Sequence, residues 1–260
     1  MQIIKLLTYC FIFSFILVGC SDDDDDNNPI QNNEPSRSAN RIALGNPQTP
    51  KDLLSADNFT SLTIEMVSVQ GFEPTAEAVQ AFKTFLEGRL FKPDGITINQ
   101  RTVASSGEAP FTIEEIAEIE QDNRTLFNQG DDITVYIYFA DGSRGGDSSE
   151  QVTLGSAYLN TSIVIYEGTL RRLASRPRSP LLATIETATL NHEFAHLLGL
   201  VNIGTPLQSD HEDEEGGHCN VPNCLMEAAI EFASGMMGIG NVVPQLDAQC
   251  IADLQANGGR

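Results

Sequence analysis

Basic residues are scarce in this sequence. Its 260 residues include 15 lysines and arginines against 36 aspartates and glutamates, which gives a formal net charge of -21 at pH 7. Nucleic-acid binding requires a basic face that neutralises phosphates, so we expect no nucleic-acid partner. Hydrophobic residues make up 41% of the chain, enough for a sizeable core. We therefore predict one globular, monomeric domain with a solvated acidic surface.

The apolar run near the N-terminus, residues 6–18, is too short to span a bilayer comfortably. It follows Lys5 and has the position of the apolar segment of an export signal. The run ends in Leu17-Val18-Gly19-Cys20, which resembles the lipobox of bacterial lipoproteins. The resemblance implies a signal peptide over residues 1–19 and lipidation of Cys20, which would attach the protein to a membrane without a transmembrane helix.

Residues 22–26 are five consecutive aspartates, followed by a stretch rich in Asn, Pro and Ser. Such a composition cannot bury apolar surface, so we predict a solvated tether over residues 20–41 and a folded domain over residues 42–260. An acidic run behind the lipidated cysteine also resembles the surface-export signals of Bacteroidetes lipoproteins. The resemblance implies an outer-membrane lipoprotein on the cell surface, and a spacer facing the periplasm is the alternative.

Hydrophobic periodicity predicts mixed strands and helices in the domain. Strands are predicted at 60–69, 96–103, 133–139 and 155–167, and helices from Pro74, from Thr112 to about Asn128, and over 182–200. The almost continuous β-prone run at 133–139 indicates a central strand. The strand at 155–167 either pairs with an extended substrate or only covers the core. The polar, glycine-rich loop Asp141–Ser149 is a candidate calcium site without EF-hand spacing.

Histidine is also scarce, and all four histidines lie between residues 185 and 226. His192, Glu193 and His196 form an HExxH motif in a proline-free apolar run. A helix places side chains four apart on one face, so two imidazoles can bind one metal ion while Glu193 reaches a water molecule on it. The apolar stripe of this helix should face the core, with the histidines lining a cleft at its edge. Its members are Leu190, Phe194, Leu197 and Val201.

Gly199 follows three residues after His196 and permits a left-handed helix end. Residues 192–199 resemble the HExxHxxG core of the metzincin metallopeptidases, whose third histidine usually comes three residues after the glycine. Here that position is Asn202, a weak zinc ligand. The segment 218–226, HCNVPNCLM, is similar to the archaemetzincin pattern of a third zinc histidine, two cysteines and a Met-turn methionine. The resemblance implies His218 as the third ligand and Met226 as the Met-turn.

Spacing alone leaves other third ligands open. His211 lies within an acidic segment and is the main alternative to His218. A gluzincin-like site would instead use a downstream glutamate, for which Glu214 and Glu215 are at a passable distance. Asn202 and Asp210 are the remaining alternatives.

Three cysteines, Cys219, Cys224 and Cys250, lie beyond the signal region. Three is an odd number, so at most one intramolecular disulfide can form among them. Archaemetzincins complete a second, structural zinc site with a CxxC pair, whereas this chain offers only Cys250. A second zinc is therefore not expected, and we predict a disulfide between two of the three in an oxidising compartment.

These patterns and resemblances predict an α+β protein of metzincin-like zincin fold. It would have a mixed, mostly parallel sheet, an active-site helix and an irregular C-terminal subdomain. The resemblance implies a zinc endopeptidase acting on extracellular proteins or peptides, with Zn²⁺ bound by His192, His196 and His218 and with Glu193 as base. One alternative is a non-catalytic surface lipoprotein that binds protein or glycan and has a structural metal. Another is a latent peptidase whose acidic insertion, residues 202–217, covers the cleft.

Overall fold

The computed structural model of the protein describes residues 37–148 and 151–260. The predicted signal peptide, Cys20 and most of the predicted tether lie outside these residues. Within them, none of the helices is both long and apolar enough to cross a membrane.

A five-stranded sheet forms the centre of the fold, in the order β2-β1-β3-β5-β4. The strands pair in parallel except β4, which is antiparallel to β5 and lies at the edge. The strand β3 lies in the middle, as predicted, and nearly all its residues are buried because both faces of a central parallel strand are covered. The strands are β1 (Ser61–Val69), β2 (Gly95–Val103), β3 (Asp132–Phe139), β4 (Gly155–Leu159) and β5 (Ser162–Ile165).

The prediction of one strand over 155–167 is wrong, because the chain reverses at Asn160 and Thr161 to form the β4-β5 hairpin. Residues near the start of the domain hold this turn. The side chain of Asn160 accepts a hydrogen bond from the Ile42 amide at 2.9 Å, and Thr161 Oγ1 donates to the Asn40 carbonyl at 2.8 Å. Asn40 is itself fully buried, so the packed domain includes residues that were assigned to the tether.

Helices pack around the sheet, and those predicted to begin near residues 74, 112 and 182 are confirmed. The second of these, α3, ends at Asn123 instead of Asn128, because Arg124 leaves the helix and buries its guanidinium against Glu120 at 2.9 Å. The helices are α1 (Gln48–Leu54), α2 (Ala76–Arg89), α3 (Ile113–Asn123), α4 (Glu167–Ala174), α5 (Leu182–Leu197), α6 (Ala233–Met236) and α7 (Ala248–Ala256), with a 3₁₀ turn at Ala228–Glu231.

The motif helix α5 is buried on all sides rather than along one stripe. Every residue from Thr184 to Leu197 is buried, since α5 packs against α2, α4 and the sheet; Phe82 and Phe194, for example, meet edge to face at 5.5 Å. The chain turns away at Gly199, whose φ is 73° and where a Cβ would lie 2.6 Å from the Thr205 amide. Only glycine fits there, as the sequence predicted.

Candidate metal centre

Three histidines bring their ring nitrogens together at the C-terminal half of α5. The Nε2 atoms of His192 and His196 lie 3.2 Å apart, and the rings of His192 and His218 stack with centroids 5.4 Å apart. One ligand atom from each ring lies within 4.8 Å of those of the other two. Ligands of a tetrahedral zinc ion with bonds of about 2.0–2.1 Å lie about 3.3 Å apart, so small side-chain movements suffice to bind one.

A β-hairpin carries His218 to α5. Its two arms are residues 211–213 and 218–220, joined by hydrogen bonds from the Asp213 amide to the His218 carbonyl at 2.8 Å and from the Asn220 amide to the His211 carbonyl at 2.9 Å. The following residues fold back, because the Cys219 amide donates to the Met226 carbonyl at 2.7 Å. Met226 is completely buried. This local folding brings residue 218 beside a helix that ends 21 residues earlier in the chain.

A backbone carbonyl fixes the tautomer of His192. Its Nδ1 donates a hydrogen bond to the Leu225 carbonyl at 2.7 Å, so Nε2 has the free lone pair. Burial lowers the pKa of His192 to about 4, and burial together with the neighbouring His192 lowers the pKa of His196 well below its usual range. Both imidazoles are therefore neutral at pH 7, the state in which they can bind a metal.

Glu193 is buried beside the histidines with one oxygen free. Its Oε2 accepts a hydrogen bond from the Ala157 amide of β4 at 2.9 Å, whereas Oε1 has no partner among the described residues. Burial, followed by the charge of Glu231, raises the pKa of Glu193 well above its usual range. A raised pKa makes the Glu193 carboxylate a stronger proton acceptor than an ordinary glutamate.

The other candidates for the third ligand lie elsewhere. Asn202 is exposed and donates to Glu212 Oε2 at 3.3 Å. His211 is completely buried, with Nε2 3.3 Å from Asp253 Oδ2 on α7. The acidic alternatives for the third ligand are all exposed on the same segment: Asp210, Glu214 and Glu215.

The structure contradicts the predicted disulfide, because Cys219, Cys224 and Cys250 are free thiols. The sulfurs of Cys224 and Cys250 lie 3.7 Å apart, far beyond a disulfide bond length of about 2.05 Å. Together with Asp247, the three cysteines form a second group whose ligand atoms all lie within 4.8 Å of one another. The three thiols and this carboxylate are thus grouped together instead of two thiols being paired.

Asp247 is the residue that sequence reasoning missed in this second group. It caps α7, where its Oδ1 accepts from the amide of Gln249 at 2.6 Å, and its Oδ2 accepts from the Cys219 thiol at 3.1 Å. Burial opposes ionisation of Asp247, but hydrogen bonds from the thiols of Cys224 and Cys219 lower its pKa to about 2. Three sulfurs and one carboxylate are a donor set that suits zinc. The signal in the sequence was an aspartate three residues before Cys250.

The loop Asp141–Ser149 gives no support to the calcium prediction. In its described part, residues 141–148, Asp147 Oδ1 accepts from the Thr153 amide at 3.2 Å. No group of three acidic donors converges there among the described residues.

No family model matches this sequence, and no curated protein matches it. Among solved structures, it is similar to archaemetzincin from Methanopyrus kandleri, with 17% identity and a TM-score of 0.51 over 76% of this chain and 96% of that one. It is also similar to metalloproteinase-II from Bacteroides fragilis, with 16% identity and a TM-score of 0.45 over 78% of this chain and 54% of that one. The predicted fold class is confirmed, and the chain has the fold of archaemetzincin.

Proposed function

We propose that this protein is a zinc-dependent peptidase. The observation that carries this function is the convergence of three histidine rings beside a buried glutamate that has one free oxygen. The likeness to archaemetzincin supports the same conclusion. A zinc ion bound by His192, His196 and His218 would supply Lewis acidity that activates water and polarises a peptide carbonyl.

Glu193 would act as the base and then as the acid. Its free Oε1 can take a proton from water, and its raised pKa allows the carboxyl group to keep that proton until the leaving amine needs it. The hydrogen bond from the Ala157 amide holds the other oxygen, so the carboxyl group keeps its orientation during the transfer. The Leu225 carbonyl does the same for His192.

The substrate would be an extended peptide that adds to the edge of the sheet. The strand β4 lies at that edge, and its Ala157 contacts the proposed base. A peptide pairing with the outer side of β4 would therefore pass close to Glu193, and backbone pairing reads little of the peptide's sequence. This supports an endopeptidase that cleaves proteins or peptides of varied sequence.

The group of Cys219, Cys224, Asp247 and Cys250 would bind a second metal ion with a structural role. Four protein donors leave no position for water, which is typical of structural zinc sites. Cys219 directly follows His218, so this centre would stabilise the segment that carries the third histidine.

The location of the protein is proposed from the sequence alone. The lipobox-like end at Cys20 and the aspartate run behind it favour a lipoprotein on the outer face of the outer membrane, with periplasmic exposure as the alternative. Its substrates would then be extracellular proteins or peptides.

Replacing Glu193 tests the catalytic proposal. Zinc-loaded wild type and Glu193→Gln are incubated with a mixture of denatured proteins, and new peptide ends are identified by mass spectrometry. We expect the variant to keep its zinc and to cleave at least about 100-fold more slowly, since it lacks the base. Glu214→Gln, which changes an exposed glutamate on the hairpin tip, should cleave like wild type.

Two outcomes would contradict the proposal. Full activity in Glu193→Gln would exclude this residue as the base. A zinc-loaded wild type that cleaves nothing would instead favour the protein- or glycan-binding lipoprotein with a structural metal.

A further inference from the structure

Glu231 brings a second carboxylate to the three histidines. Its Oε2 lies 3.3 Å from Nε2 of His218, and the side chain is 19% exposed. That nitrogen is buried and has no hydrogen-bond partner among the described residues. This distance matches the separation of about 3.3 Å between two ligands of one tetrahedral zinc ion. It is also close to the 3.2 Å between the Nε2 atoms of His192 and His196.

The backbone holds Glu231 at the entrance to β4. Glu231 ends the 3₁₀ turn that follows Met226, and its carbonyl accepts a hydrogen bond from the Leu154 amide at 3.1 Å. Two residues further on, the Ala233 amide donates to the Val152 carbonyl at 3.0 Å. The turn is therefore tied to the segment leading into the strand that contacts Glu193, so a peptide arriving along β4 would meet Glu231.

The carboxylate of Glu231 is partly exposed. It does not belong to the group of three histidines whose ligand atoms lie within 4.8 Å of one another, but it lies beside His218. His218 is its polar contact among the described residues, and part of the side chain is exposed. Rotation of this partly exposed side chain would carry an oxygen either towards the metal position or out towards solvent.

We propose that Glu231 is a displaceable fourth ligand of the metal ion, bound in the resting protein and released when a peptide reaches the three histidines. The inference rests on the proposed zinc site. Three neutral imidazoles leave the two positive charges of zinc uncompensated in a buried site, and a carboxylate ligand would reduce that cost. Carboxylate oxygen is an ordinary zinc ligand. When released, Glu231 would be solvated at the partly exposed rim.

Cadmium-113 NMR tests this ligand without relying on activity. Thiolate ligands shift a cadmium resonance far from that of a nitrogen- and oxygen-ligated ion, so the two proposed centres give separate signals. In Glu231→Gln we expect the nitrogen and oxygen signal to move and the affinity of that centre to fall at least about 10-fold. The thiolate signal should stay unchanged, which shows that the variant is folded.

Glu227→Gln is the matched control. Glu227 lies four residues earlier, and its Oε2 accepts from the Asn223 amide at 2.9 Å rather than approaching a histidine. Both cadmium signals of this variant should match wild type. If Glu231→Gln also matches wild type, Glu231 is not a ligand, and the proposed peptidase function is untouched. If wild type has no nitrogen and oxygen signal, the three-histidine centre itself is wrong.

Acetohydroxamate tests whether the ligand can be displaced. This small chelator competes for the position that Glu231 would occupy, so we expect it to bind cadmium-loaded Glu231→Gln at least about 10-fold more tightly than wild type. At saturation, the nitrogen and oxygen signals of the two proteins should coincide, because Glu231 has left the ion. Equal affinities would overturn the proposal.

Discussion

Glu193 has space for its carboxyl group only because the facing residue has no side chain. Gly155 starts β4, and a Cβ at this position would lie 2.7 Å from Glu193 Cγ and 3.0 Å from its Oε1. The φ of Gly155 is not in the left-handed region, so close approach is what requires glycine here.

Gly155→Ala should therefore displace the proposed base while leaving the metal in place. We expect kcat/KM to fall about 10- to 100-fold, since small displacements of a catalytic group have large effects on rate. Zinc content should remain that of wild type. Ser156→Ala, on the next residue of the strand, is the control and should cleave normally. Wild-type turnover in Gly155→Ala would show that the position of Glu193 does not limit the reaction.

For single residues, the sequence could predict which side chains lie together when a helix sets their spacing. His192 and His196 lie four apart, and helix geometry alone puts them on one side. Glu231 could not be predicted, because a short 3₁₀ turn far from α5 in the chain brings it to His218. The same holds for the Leu225 carbonyl, which contacts the His192 ring although the two residues lie 33 positions apart in the chain.

Among the elements, the acidic insertion is held to the C-terminal helix by a buried pair. His211 and Asp253 are both completely buried, and Asp253 Oδ1 also accepts from the Gln208 amide at 2.7 Å. The histidine that competes for the role of third ligand is thus part of the packing between the insertion and α7.

His211→Ala should destabilise the protein without removing a metal ion. The change leaves the buried Asp253 carboxyl group without its partner, which costs roughly 1–3 kcal/mol of the free energy of unfolding. Urea unfolding measures the loss. The double variant His211→Ala/Asp253→Ala should recover part of it, because no unpaired carboxyl group is left. Unchanged stability of the single variant would show that the pair does not hold the insertion.

The elements that the sequence predicted are those with regular periodicity. The strands β1, β2 and β3 and the helix α2 follow from alternating or helical spacing of apolar residues. The β4-β5 turn could not be predicted, because Asn160 and Thr161 are fixed by residues more than 110 positions away. The burial of α5 on all sides depends likewise on which elements surround it.

For the molecule as a whole, a buried pair of carboxyl groups links stability to pH. Glu167 of α4 is completely buried and accepts from Arg171 Nε at 2.6 Å. Burial and then the charge of Glu186 raise the pKa of Glu167 to about 8. The folded protein therefore binds a proton that the unfolded chain releases near pH 4.5. This contribution to stability is fully present below pH 4.5 and is lost as the pH rises through about 8.

Glu167→Gln should reduce this dependence on pH. Wild type is expected to lose more free energy of unfolding between pH 5 and pH 8 than the variant, because glutamine has no proton to release. Urea unfolding at several pH values in this range measures the difference. Parallel curves for the two proteins would show that Glu167 does not hold the proton.

Zinc content most directly tests the central claim that His192, His196 and His218 form one metal site. Elemental analysis is carried out on wild type, His218→Ala and His211→Ala after dialysis against trace zinc. We predict that His218→Ala holds one zinc ion fewer than wild type and that His211→Ala holds the same number. Loss of zinc from His211→Ala alone, with His218→Ala equal to wild type, would contradict the proposed metal centre.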